Sequence, residues 1–144
     1  MEVPAYAKLN LTFEILGRRD DGFHNVTTIM QTIDLSDLLR IEPAADLKVE
    51  CEYPELAGEQ NLVWKAAVEL AKAGDIEPAA LVTVEKRIPV AMGLGGGSSD
   101  AAAALLGLNS LWGLGFSLDE LATIAAGLGS DISFFLWGGT ALAQ

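Results

Sequence analysis

The chain has 144 residues, 51% of them apolar, and its 20 acidic against 9 basic residues give a formal charge of −11. That length suits one compact domain with its own core, and the charge argues against a nucleic-acid backbone or an anionic membrane surface as partner. One cysteine, Cys51, excludes an internal disulfide; with an opening (MEVPAYAKLN) unlike a signal peptide and no apolar run near the roughly 20 residues of a membrane span, the expected location is the cytoplasm.

In AKLNLTFEILG, Leu9, Leu11, Phe13 and Ile15 share one face and Lys8, Asn10, Thr12 and Glu14 the other, which predicts a half-buried strand carrying Lys8 and Asn10 side by side. GRRDDGFHN reads as a polar turn, and the β-branched VTTIMQTIDL as a second strand. LLRIEP and LKVECEY predict a hairpin joined at Pro43 to Asp46. NLVWKAAVELAKAG predicts a helix that Asn61 caps and Gly74 stops, and ALVTVEKRI a further strand. Ala101, Ala104, Leu105, Leu108, Leu111 and Trp112 recur at spacings of three and four, so the helix opening near Ser98 to Asp100 buries a broad face. Ser117 and Glu120 form a capping box for a helix ending near Gly127 and Gly129, and DISFFLWGGTALAQ runs apolar to the last residue. Strands first and helices later predict an α+β domain, an antiparallel or mixed sheet with helices on one face.

Between the strand VTVEKRI and the alanine-rich helix stands VAMGLGGGSSD, with four glycines in the five positions from Gly93 to Gly97. Glycine costs roughly 0.5 to 1 kcal/mol relative to alanine in regular structure, so such a cluster implies that the backbone must approach something closely. The N–H groups of a first helical turn, with about half a positive charge from the macrodipole, attract phosphate there. The alternative is a tight turn with Ser98 or Ser99 as a simple cap. No lysine follows the glycines as a G-x-x-x-x-G-K-[ST] loop requires, and a G-x-G-x-x-G fingerprint starting at Gly93 would need glycine at Ser98. H-R-D and D-F-G are missing as well.

IPVAMGLGGGSSDAAAAL resembles the phosphate loop of the GHMP small-molecule kinases, the superfamily of galactokinase, homoserine kinase and mevalonate kinase. PAYAKLNLTFEILGRRDDGFHNV near the start and LGSDISFFLWGGTA near the end narrow the resemblance to the 4-diphosphocytidyl-2-C-methyl-D-erythritol kinases of non-mevalonate isoprenoid synthesis, collinearly over essentially the whole chain. Departures are Met92 for a small residue, Phe23 for tyrosine, and GSDISFF for GADVPFF.

The resemblance implies ATP-dependent phosphorylation of the substrate's 2-hydroxyl, with Mg2+ accompanying the nucleotide. It implies Asp131 as the base and Lys8 as its partner; by themselves these residues also read as a turn or cap aspartate and a solvated lysine. It assigns Asn61, Lys86, Gly93, Gly95, Gly96, Gly97, Ser98 and Ser99 to ATP, where helix capping and strand surface are the other readings of Asn61 and Lys86. Asn10, Asp20, Phe23 and His24 fall to the cytidylylated substrate, although a lone histidine in a turn is ordinarily polar surface. The metal ligands are undetermined; the Ser99 hydroxyl is a candidate, with capping as its alternative. Asp100 is expected to interact with the first helical turn.

Family enzymes are about twice as long, with a second domain that closes the cleft. The expectation is therefore that residues 1–144 are the N-terminal domain without that second half, of low or no activity alone, and self-associating through surface left uncovered. Another superfamily kinase and a non-catalytic nucleotide-binding fragment are the alternatives.

Overall fold

The computed structural model describes residues 1–22 and 24–143, with the side chains at 24 and 25 outside that description. The elements run β1 (Glu2–Arg18), β2 (His24–Glu42), β3 (Lys48–Cys51), α1 (Leu62–Ala73), β4 (Leu81–Glu85), α2 (Gly96–Leu111), α3 (Leu118–Ala126), α4 (Ile132–Trp137) and β5 (Thr140–Ala143). Among the described residues the strands form one mixed sheet in the order β1-β2-β4-β3, with β5 also paired to β2.

The expected hairpin between LLRIEP and LKVECEY does not form. LLRIE continues β2, and β4 inserts between β2 and β3, antiparallel to the first and parallel to the second. Register explains the insertion: Ile41, Val82 and Val49 form one row across the three strands, and Leu39, Val84 and Cys51 the next. Val82 and Val84 are both buried and gain most at the centre, whereas β3 exposes Lys48 and Glu50 and suits an edge. Parallel pairing needs a crossover of about a dozen residues or more, which α1 and its connections supply.

β1 also departs from its alternation. Its register against β2 shifts between Tyr6 and Lys8, between Asn10 and Thr12, and between Ile15 and Gly17. Lys8 is buried, whereas every residue from Leu9 to Arg18 is exposed, polar and apolar faces alike, so the expected half-buried apolar face does not form. A bulge re-aims side chains, and among the described residues nothing packs over the outer part of this ribbon.

The helices lie on one face of the sheet, where Leu39, Ile41, Val49, Val82 and Val84 join the buried residues of α1 to α4 in one core. The opposite face carries ion pairs from Arg40 to Glu2 at 3.0 Å and to Glu85 at 3.4 Å. α2 is central and packs against β1, β2, α1 and α4, so a run from Ser99 to Leu105 is buried almost all round. Small side chains make that possible: a Cβ at Gly107 would run into the Ile41 methyl and lie 3.1 Å from Val3 Cγ2. Local signals behave as expected. The Asn61 side chain accepts from Val63 N at 2.8 Å, and Ser117 and Glu120 make a reciprocal capping box. Among the described residues no helix is long and apolar enough to cross a membrane.

Candidate active site

α2 opens at Gly96, earlier than the expected start near Ser98 to Asp100, because Gly95 takes the N-cap position in the left-handed region at φ 72°. No side chain caps this helix, and its first turn contains no acid. The first-turn N–H groups are therefore outside the helical ladder without a carboxylate competing for them. Neither serine serves as the simple cap of the alternative reading. A groove of about 380 Å³ fronts this turn, lined by Asn61, Lys86, Gly93, Gly95, Gly96, Gly97 and Ser98, with Leu56, Leu62, Val90 and Met92 as an apolar wall. Among the residues assigned to ATP from sequence, Ser99 does not line it. Its buried hydroxyl donates to the Tyr6 carbonyl at 2.6 Å, which directs it at β1.

The β1 bulge ties the loop down. At the slip between Tyr6 and Lys8, the Tyr6 carbonyl accepts from Ser99, and the Lys8 N–H donates to the Leu94 carbonyl at 3.0 Å. Glycine is required at 95 for a second reason: a Cβ there would lie 2.6 Å from the Phe135 ring and 3.2 Å from Lys8 Cγ. The loop thus rests directly on Lys8.

Lys8 Nζ lies 3.6 Å from Asp131 Oδ2, an ion pair rather than a hydrogen bond, and donates to Asn10 Oδ1 at 3.1 Å. Thr28 Oγ1 donates to the same Asn10 oxygen at 3.3 Å. Asp131 occupies the N-cap position of α4, yet its side chain makes no capping bond there, which leaves it for Lys8. The lysine side chain is 7% exposed and the aspartate 39%, so the cation is sequestered and the carboxylate reachable. Such a pair can accept a hydroxyl proton while fixed positive charge offsets the negative charge that develops.

The side chain of Lys86 is only 6% exposed, contrary to its strand-surface reading. Its ammonium donates to Asp37 and, at 2.8 Å, to Asp100 Oδ2. Asp100 is thereby corrected: it pairs with Lys86 and does not cap the first turn. Burial pushes Asp100 up to about 7 although Lys86 pulls the other way, with Asp37 adding to the rise. Burial works to lower Lys86, but the two carboxylates outweigh it and leave the ammonium raised. Asp37 escaped the sequence reading. Its signal is a carboxylate in phase with Leu39 and Ile41, on the apolar face of a strand.

Asp20 sits with Arg18, Arg19 and Asp21 in a shallow hollow at the turn of the β1–β2 ribbon, separate from the glycine groove. Phe23 and the His24 side chain lie outside the described residues. Among the described residues no group of three or more His, Cys, Asp and Glu converges.

The family described as GHMP kinases N terminal domain matches residues 61–139. The chain is 47% identical to the 4-diphosphocytidyl-2-C-methyl-D-erythritol kinase of Bacillus cereus (strain B4264) over 98% of its length, and 46% identical over its whole length to that of Thermoanaerobacter pseudethanolicus. It spans about half the length of these curated relatives, 50% in each case. The crystal structure of a 4-(cytidine 5'-diphospho)-2C-methyl-D-erythritol kinase superposes with a TM-score of 0.87 at 38% identity, covering 99% of this chain and 51% of that one. The Methanococcus jannaschii mevalonate kinase shares the fold at a TM-score of 0.75 and 16% identity, over 100% and 52% of the two chains. With its glycine loop, helix terminus and sheet matched across the whole chain, this protein belongs to the GHMP kinases, in the family of their N-terminal domain.

Proposed function

We propose that this chain supplies the phosphate-binding wall and the catalytic pair of an ATP-dependent kinase acting on the 2-hydroxyl of 4-diphosphocytidyl-2-C-methyl-D-erythritol. One observation carries the reading: Leu94 and Gly95 of the loop that borders the groove rest on Lys8, which pairs with Asp131. Phosphoryl transfer needs in-line placement, neutralised charge and a base on the attacking hydroxyl, and these parts supply each requirement. The N–H groups of Gly96, Gly97 and Ser98 hold phosphate oxygens. Asp131 accepts the hydroxyl proton, while Lys8, steadied by Asn10, holds that carboxylate in place and offsets charge. Asn61 and Lys86 border the nucleotide; Asn10 and Asp20 face the cytidylylated alcohol, a role that the family resemblance extends to Phe23 and His24.

Magnesium supplies charge neutralisation when bound with ATP. With no group of three or more His, Cys, Asp and Glu converging among the described residues, the carboxylates of Asp37 and Asp100 engaged by Lys86 and the Ser99 hydroxyl by Tyr6, nucleotide oxygens and water would form most of its shell. The half-buried free thiol of Cys51 suits the cytoplasm.

The test is incubation with ATP, magnesium and the cytidylylated tetritol, followed by phosphorus NMR, with homoserine and mevalonate in parallel. Transfer to homoserine or mevalonate with none to the cytidylylated compound would sink the substrate assignment. A second reading rests on the half-length match: by itself the 144-residue chain binds nucleotide weakly, turns over negligibly, and self-associates through the exposed Leu11, Phe13, Ile15 and Leu16. Full turnover by a sedimentation-verified monomer of 144 residues would overturn it.

A further inference from the structure

We infer that Asp37 is a positioning residue for the glycine groove, holding the Lys86 ammonium beneath the first residue of α2 and so setting where the loop's N–H groups point. The inference rests on the nucleotide reading of that groove.

Asp37 is 0% exposed, and both of its oxygens are engaged. Oδ1 accepts from Arg87 N at 2.5 Å and from Ile88 N at 2.8 Å, and Oδ2 accepts from Lys86 Nζ. One carboxylate on β2 therefore grips three consecutive residues at the exit of β4, where the loop begins. Lys86 lines the groove, and two of the three lie against the start of α2: a Cβ added to Gly96 would lie 3.2 Å from both Lys86 Nζ and Ile88 Cγ2. The same ammonium reaches α2 through Asp100 at 2.8 Å.

The two carboxylates are not equivalent. Asp37 has a donor on each oxygen, whereas Asp100 Oδ1 is buried without a hydrogen-bond partner. Asp37 is thus the anchor and Asp100 the looser member. A carboxylate buried beside Leu39 and Ile41 is expensive, and an apolar side chain would fill that strand position at lower cost. What an apolar residue cannot do is locate an ammonium and two N–H groups together.

The experiment is a double-mutant cycle on the 144-residue chain with Asp37→Asn and Lys86→Gln, reading MgATP affinity by calorimetry and amide hydrogen exchange at Ser99. Ser99 N donates to Gly95 O, so it reports closure of the loop onto the helix without touching Asp37. Each single variant should weaken MgATP binding about tenfold and speed Ser99 exchange, and the double variant should lose little more than either one, as partners in one network do. Equal losses from Asp37→Asn with and without Lys86→Gln would overturn the inference, because Asp37 would then act independently of the ammonium. Unchanged affinity and exchange in a folded Asp37→Asn would overturn it too. If Asp37→Asn does not fold, unchanged affinity and exchange in Lys86→Gln have the same force. A parent chain that binds no MgATP defeats the nucleotide reading, and Ser99 exchange across the same cycle then decides the positioning role by itself.

Discussion

Lys8 and Asp131 come from the first strand and the start of the last helix, and meet with Nζ and Oδ2 3.6 Å apart, the lysine buried and the carboxylate half-exposed. In a preparation active in phosphoryl transfer, Asp131→Asn keeps the shape and removes the base, so kcat should fall by about 10² to 10⁴ with little change in Tm. Lys8→Met should lower kcat similarly, and the two losses should not add, because the residues act as one unit. Near-normal turnover of Asp131→Asn would reduce it to a structural role.

The loop glycines should separate by what surrounds them. Gly97 has an ordinary φ, and a Cβ there meets only Leu62 Cδ1 at 3.9 Å, so Gly97→Ala should leave stability level or raise it by at most about 1 kcal/mol, with Tm level or slightly higher. It should still weaken MgATP binding, since the methyl occupies the phosphate approach. Gly95→Ala has both a positive φ and the Phe135 ring against it and should lower Tm as well. Calorimetry and thermal melts on the two variants check the contrast; equal behaviour would refute it.

Gly107→Ala tests the seating of α2 on the sheet. The new methyl would press on Ile41 and Val3, and overpacking of about 1 to 3 kcal/mol outweighs the helix propensity that alanine adds. Urea unfolding should show a lower midpoint at unchanged slope, and a stability equal to the parent's would mean that the sheet yields there.

Asp100 gives a pH dependence of definite sign. The charged groups facing it are Lys86 and Asp37, and burial holds it at about 7, above the ordinary value of 3.8. Between those values the folded state binds more protons than the unfolded state, so this group's contribution falls as pH rises from about 4 to 7 and is level beyond. Asp100→Asn should therefore be more stable than the parent at pH 8, by about 1 to 3 kcal/mol, with the gap closing toward pH 4. Parallel stability curves from pH 4 to 8 would contradict it.

Local chemistry was legible in the sequence because each signal spans only a few residues. Asn61 before its helix and the Ser117 and Glu120 box cap as their spacing implied, and the glycine cluster leads into α2, with Gly95 at its N-cap. Lys8 and Asp131 were identified by resemblance, and no spacing argument could have joined residues so far apart in the chain. Tertiary structure alone decided three things. β4 displaced β3 from β2 because two buried valines gain more at the sheet's centre than a charged strand does. Along β1, whose register against β2 slips between Tyr6 and Lys8, Lys8 is buried, and Leu9 to Ile15 stay exposed because nothing among the described residues covers that part of the ribbon, so the alternation found no core to face. Lys86 became a buried cation because Asp37 and Asp100, from different elements, converged on it. A charge leaves water only where such partners meet it, and that meeting is a property of the assembled fold.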